Sequence, residues 1–136
     1  MSLVVSNSAE IEMLKKILGQ NLIGDTFHFR LYDTDVTPAE GDTYLSYNES
    51  GGTGYSAHTG YGDSWVIGDS GGISKADFPE VTFTYTGGDT LYGYYITSKD
   101  STGDTVLLWA EEFSDGPYTI PSGGGTCKVT PKITLA

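Results

Sequence analysis

Nucleophilic catalysis at serine or cysteine needs a base beside the nucleophile, and this chain offers two histidines, His28 and His58. Ser56 precedes His58 in Gly54-Tyr55-Ser56-Ala57-His58, which imitates a nucleophile elbow. The elbow needs a second glycine where His58 stands, and a helix after it; neither is present in the sequence pattern. His28 alternates with the apolar residues around it and sits beside Arg30, the setting of a surface histidine. The run from Gly52 to Ala57 imitates a dinucleotide fingerprint, but that motif works only where a strand feeds a helix.

Asp33, Asp35, Glu40 and Asp42 could offer oxygen ligands to calcium, although their spacing is not that of an EF-hand loop and acids are common in solvated turns. Glu111 and Glu112 are the most tempting carboxylate pair. Neighbours on a strand point to opposite faces, so these two cannot flank one glycosidic bond. Whichever turns inward needs Arg30 or a lysine as partner, unless the strand is bulged. No coherent catalytic set results, and the reading assigns no enzyme activity, no metal and no cofactor. Tyr44, Tyr47, Tyr55, Tyr61 and Trp65 remain; they either fill a core short of leucine or make contacts with proteins or sugars.

The elements that must position these residues are mostly strands. One helix is predicted over residues 8–19, because Ile11, Leu14, Ile17 and Leu18 recur at helical spacing. Asn7 or Ser8 caps its start, Glu10 and Glu12 lie in the first turn, Lys15 and Lys16 in the last, and Gly19 ends it. Glu12 and Lys16 stand four apart in the favourable order. One apolar face implies that the helix lies on something. Thereafter the period is two: Phe27, Phe29 and Leu31 mark one strand, and Val81, Phe83 and Tyr85 another. Leu91 to Thr97 and Val106 to Phe113 are apolar on both faces, as in strands covered on both sides. Cys127 to Leu135 reads as a last strand, broken or confined to an edge by Pro131 and guarded by outward lysines. Gly-Asp-Thr begins at Gly24, Gly41, Gly88 and Gly103, a recurrence that follows from turn chemistry. Residues 48–72 are rich in Gly, Ser and Tyr, with a strand expected around Trp65, Val66 and Ile67.

At 136 residues the chain supports one core, expected as a single domain with an arm at 1–7, the helix at 8–19 and strands over 25–135. Eighteen acids against seven bases give a net charge of −11, so the clustered cations that nucleic acid requires are missing. Cys127 is the only cysteine, which excludes an intrachain disulfide and suits a reducing cytoplasm. Neither a secretion signal nor a run of about eighteen apolar residues is found, so no membrane partner is expected.

The stretches 9–19 (AEIEMLKKILG), 31–43 (LYDTDVTPAEGDT), 106–113 (VLLWAEEF) and 128–135 (KVTPKITL) resemble short structural proteins of phage virions. The likeness covers nearly the whole chain apart from residues 48–61. The small acidic format is similar to capsid decoration, or cement, proteins of tailed phages. That resemblance implies an all-β, jelly-roll-like β-sandwich with one short N-terminal α-helix, made in the host bacterial cytoplasm and displayed on the outer capsid surface. The implied partners are the major capsid protein and further copies of the chain, as a homodimer or homotrimer. Expected contact residues are Leu3, Val4 and Val5 of the arm, Ile11 and Leu14 of the helix, Tyr55, Tyr61 and Trp65 of the aromatic segment, and Pro131. The alternative is a tail or tail-fibre component whose sandwich binds a receptor or glycan.

Overall fold

The structure is a computed structural model that describes residues 3–20 and 24–135. Among them are one α-helix, α1 (Asn7–Ile17), and twelve short strands: β1 (Leu3–Val5), β2 (Thr26–Tyr32), β3 (His58–Tyr61), β4 (Val66–Ser70), β5 (Ile73–Asp77), β6 (Val81–Tyr85), β7 (Asp89–Leu91), β8 (Gly93–Lys99), β9 (Thr105–Glu112), β10 (Tyr118–Ile120), β11 (Gly125–Val129) and β12 (Lys132–Leu135). The fold is all-β with a short helix, as expected, although the strands are shorter and more numerous than the about eight of a simple sandwich.

Five strands form the main antiparallel sheet in the order β1-β9-β8-β2-β3. Its inner face carries Phe29, Leu31, Tyr94, Ile96, Leu108 and Trp109. Against that face lie the pair β6-β11, which contributes Val81, Phe83, Tyr85, Cys127 and Val129, and the pair β7-β10, which contributes Leu91 and Ile120. This is the layered packing that alternating strands require, since each has one apolar face to hide. A fourth sheet has the order β12-β5-β4. Trp65 keys the junction, its ring centre 5.1 Å from Phe78, 5.6 Å from Trp109 and 6.1 Å from Phe29.

The doubly apolar run in β9 is explained by an irregular register: Ile96 of β8 faces Trp109 and Thr97 faces Leu107, so Leu108 is an extra residue. The bulge turns both Leu108 and Trp109 to the inner core and leaves Leu107 and Ala110 on the outer face. That outer face has its own small core of Tyr32, Tyr47, Tyr95, Leu107 and Ala110. It is roofed by the segment after β2, which folds back so that Asp33 N donates to Asn48 O at 3.0 Å and Ser50 N donates to Leu31 O at 2.8 Å. Tyr32, on the face of β2 opposite Phe29 and Leu31, is therefore fully buried.

Several boundaries differ from expectation. Leu91 to Thr97 is two strands, broken at Tyr92, with β7 and β8 in different sheets. Cys127 to Leu135 is likewise divided at Pro131 between β11 and β12. Pro131, expected among the contact residues, is fully buried within the chain. Its carbonyl accepts from Phe78 N at 2.9 Å, so the chain turns here inside the molecule. The helix is capped by Ser6, not by Asn7 or Ser8: Ser6 Oγ accepts from Ala9 N at 3.1 Å. Gly19 takes the left-handed conformation at φ +71, as a helix-ending glycine should.

Candidate functional site

Neither histidine is hydrogen-bonded to a serine among the described residues. His28, on β2, meets Thr59 at 3.4 Å, and its imidazole is held below its ordinary pKa by burial and by the nearby Arg30 and Lys99 cations. His58 is exposed at the start of β3 and, among the described residues, neither Ser56 nor any other serine is hydrogen-bonded to it. Ser50 is the serine held by an acid: it donates to Asp89 and lies 2.8 Å from the Tyr85 hydroxyl. No histidine joins this group among the described residues, and its bonds pin the roofing segment to β6 and β7. The acids at 33–42 are spread among local hydrogen bonds: Asp33 accepts from Asn48 Nδ2, and Asp42 accepts from Ala39 N and the Tyr47 hydroxyl. Among the described residues no three of His, Cys, Asp or Glu gather as a metal site.

The expected contact residues separate into inward and outward groups. Leu3, Val4 and Val5 are not a free arm; they form β1 and pair with Glu111, Ala110 and Trp109 of β9. Leu3 and Val5 pack on the inner core. Tyr55 stacks on Phe83 and Tyr85, with ring centres 5.9 and 5.7 Å away, and Trp65 lies in the aromatic junction, so both pack, half-buried, against the core. Burial pushes the Tyr55 phenol above its ordinary pKa, and its oxygen accepts from Leu31 N at 3.1 Å. Tyr61 is exposed on β3.

The helix reverses the expectation drawn from its periodicity. Ala9 and Glu12 are its buried residues, while Ile11, Leu14, Ile17 and Leu18 are 52, 59, 80 and 68 % exposed. Glu12 pairs with Lys15 at 3.0 Å, not with Lys16. The cause is the tether at the amino end, where Ser6 N donates to Leu108 O at 3.1 Å and Ser6 Oγ donates to Leu107 O at 2.7 Å. With β1 already fixed on β9, the first helical turn is set by the sheet edge, and its small residue Ala9 fits there. Tyr44 and Leu45 are exposed as well, beside a shallow apolar cleft that they form with Ser8, Val106 and Leu107. A second exposed apolar surface lies on the β4-β5 hairpin, at Val66, Ile67 and Ile73. The sequence carried the signal for this in Val66-Ile67, which no alternation required to be buried.

The other cleft, of about 240 Å³, opens where β9 ends, and residue-by-residue inspection of the sequence missed it. Tyr94, Glu111, Phe113 and Tyr118 line it, with Lys128 and Thr130 from the opposite layer. Tyr94 is 2 % exposed and its hydroxyl makes no hydrogen bond. Burial and the Glu111 carboxylate raise the pKa of this phenol, yet neither Glu111 nor the nearby Lys132 amide meets it in hydrogen-bond geometry. Tyr118 donates to Asp115, which pushes the Tyr118 phenol up to about 12. Glu111 and Glu112 both reach the cleft because the strand ends there, and Glu112 accepts from Thr37 at 3.1 Å.

Comparison with protein-family models, curated proteins and solved structures finds no match. The functional reading therefore rests on this chain's own surfaces.

Proposed function

We propose that the chain is a structural component of a phage virion, a capsid decoration or cement protein that binds the outer face of the head and stabilises it. A jelly-roll character for the sandwich, the major capsid protein as partner and a homodimeric or homotrimeric state belong to the same proposal. The observation that carries it is the outward apolar stripe of α1, Ile11, Leu14, Ile17 and Leu18. Four large aliphatic side chains on one helix face are costly in water, and covering each contributes about 1.5 kcal/mol or more at roughly 25 cal/mol per Å². Repeated over a shell, such contacts resist expansion. The net charge of −11 keeps the uncovered parts of many crowded copies from associating.

The glycan-binding alternative keeps less of its aromatic surface, since Tyr55 and Trp65 pack against the core while Tyr44 and Tyr61 are exposed. Quantitative mass spectrometry of separated heads and tails of the phage that encodes the chain decides between them. Copies in fixed ratio to the major capsid protein, with loss of binding in Leu14→Glu, are expected. Confinement to tails would overturn the decoration reading.

A further inference from the structure

We infer that the cleft at the end of β9 receives a cationic side chain, an arginine guanidinium, from a partner protein. The groups around it are acceptors in excess. The buried Tyr94 oxygen meets no partner in hydrogen-bond geometry, although the Glu111 carboxylate is near it, and that carboxylate makes no ion pair among the described residues. Glu112 and Asp115 each engage one carboxylate oxygen, with Thr37 and Tyr118. Against these three acids the cleft holds one cation, Lys128, which makes no ion pair among the described residues.

The aromatic walls suit the same occupant. Phe113 and Tyr118 rings lie 4.8 Å apart, and Tyr94 is 6.5 Å from Phe113. A guanidinium can lie against an aromatic ring while its N–H groups reach a carboxylate, and its flat fork matches two acceptors at once, which an ammonium does not. At about 240 Å³ the cleft is smaller than the roughly 300–1,000 Å³ of pockets for cofactors and drug-sized ligands. It admits one side chain. A saccharide could donate its hydroxyls to the same carboxylates, but it carries no charge to offset three acids facing one lysine. Of the buried side-chain polar atoms without a hydrogen bond among the described residues, on Glu12, Trp65, Tyr94 and Trp109, the Tyr94 hydroxyl is the one that borders this cleft, where an entering group could meet it.

The test titrates the isotopically labelled full chain with N-acetyl-arginine N-methylamide, its neutral citrulline counterpart, and methyl glucoside, followed by NMR. Saturable shifts confined to residues 111–118 and 128–130 are expected, with citrulline weaker by about fivefold or more and Glu111→Gln weakening arginine by a similar factor. Tyr94→Phe should weaken it by about twofold. If Glu111→Gln alters the fold, Lys128→Gln serves instead, and arginine should then bind more tightly. Equal binding of citrulline, preference for the glucoside, no saturation below roughly 50 mM, or weaker binding to Lys128→Gln each overturns the inference. The experiment uses the isolated chain, so a negative result leaves the virion reading standing, and a tail location leaves the cleft reading standing.

Discussion

Arg30 on β2 reaches Glu49 in the roofing segment, with Nη1 2.9 Å from Oε1, and its Nε donates to Thr97 on β8 at 3.1 Å. The other Glu49 oxygen accepts from the Tyr55 hydroxyl at 2.9 Å. One carboxylate thus ties the sheet, the roof and the stacked aromatic residues together. Both charged side chains are about a quarter to a third exposed, so the ion pair alone contributes little, and the shared geometry matters more. Glu49→Gln should lower unfolding free energy by about 1–2 kcal/mol, read from the urea midpoint. An unchanged midpoint would mean the network is idle.

Ser6 links α1 to the sheet as cap and as donor to Leu107 O. Ser6→Ala removes both bonds from a buried site, and a loss of about 2 kcal/mol is expected in thermal or urea unfolding.

The helix and the aromatic junction should respond oppositely to sequence-based intuition. Ile17→Ser, at an exposed position, should shift the stability of the isolated chain by less than about 0.5 kcal/mol. Trp65→Ala should cost about 3 kcal/mol or more. A large cost for Ile17→Ser in dilute solution would show that the stripe is covered within the molecule or by a second copy.

Alkaline pH should unfold the protein through its tyrosines. Burial is the first cause that raises the phenol pKa of Tyr32, Tyr47, Tyr55, Tyr85 and Tyr94, and it pushes Tyr95 up to about 12. Between the unfolded value near 10 and these higher values, the folded state binds more protons than the unfolded one. The resulting stability is complete below about pH 10 and is lost as pH rises above it. Absorbance at 295 nm should therefore show most ionisation arriving together with the loss of far-ultraviolet circular dichroism. Smooth ionisation around pH 10 with the fold intact would contradict this.

Cys127 faces the inner core from β11, and burial pushes its thiol up to about 11. Because thiolate is the reactive form, a disulfide reagent at pH 8 should react slowly with the native protein and fully once urea unfolds it. Rapid native reaction would mean that β6-β11 opens readily.

Much of the fold was legible from local rules. Alternation in Phe27, Phe29, Leu31 and in Val81, Phe83, Tyr85 dictates which side is buried, because side chains on a strand have a period of two. Gly-Asp-Thr marks the entries to β2, β7 and β9, and Pro131 forecasts a break, since it cannot donate to a ladder.

What only the tertiary structure decided is what lies opposite each face. Periodicity defines the apolar stripe of α1 but not whether a surface awaits it, and the Ser6 tether to β9 turns that stripe outward. Tyr55 and Tyr61 look alike in sequence; one stacks on Phe83 and Tyr85 of β6 and the other is exposed on β3, because only the first meets a second layer of strands. The cleft at Glu111 arises where β9 ends against β11 and the Tyr118 turn, a meeting of segments distant in sequence. Local chemistry fixes conformation within a few residues, whereas burial is a property of neighbours that the chain supplies only by folding.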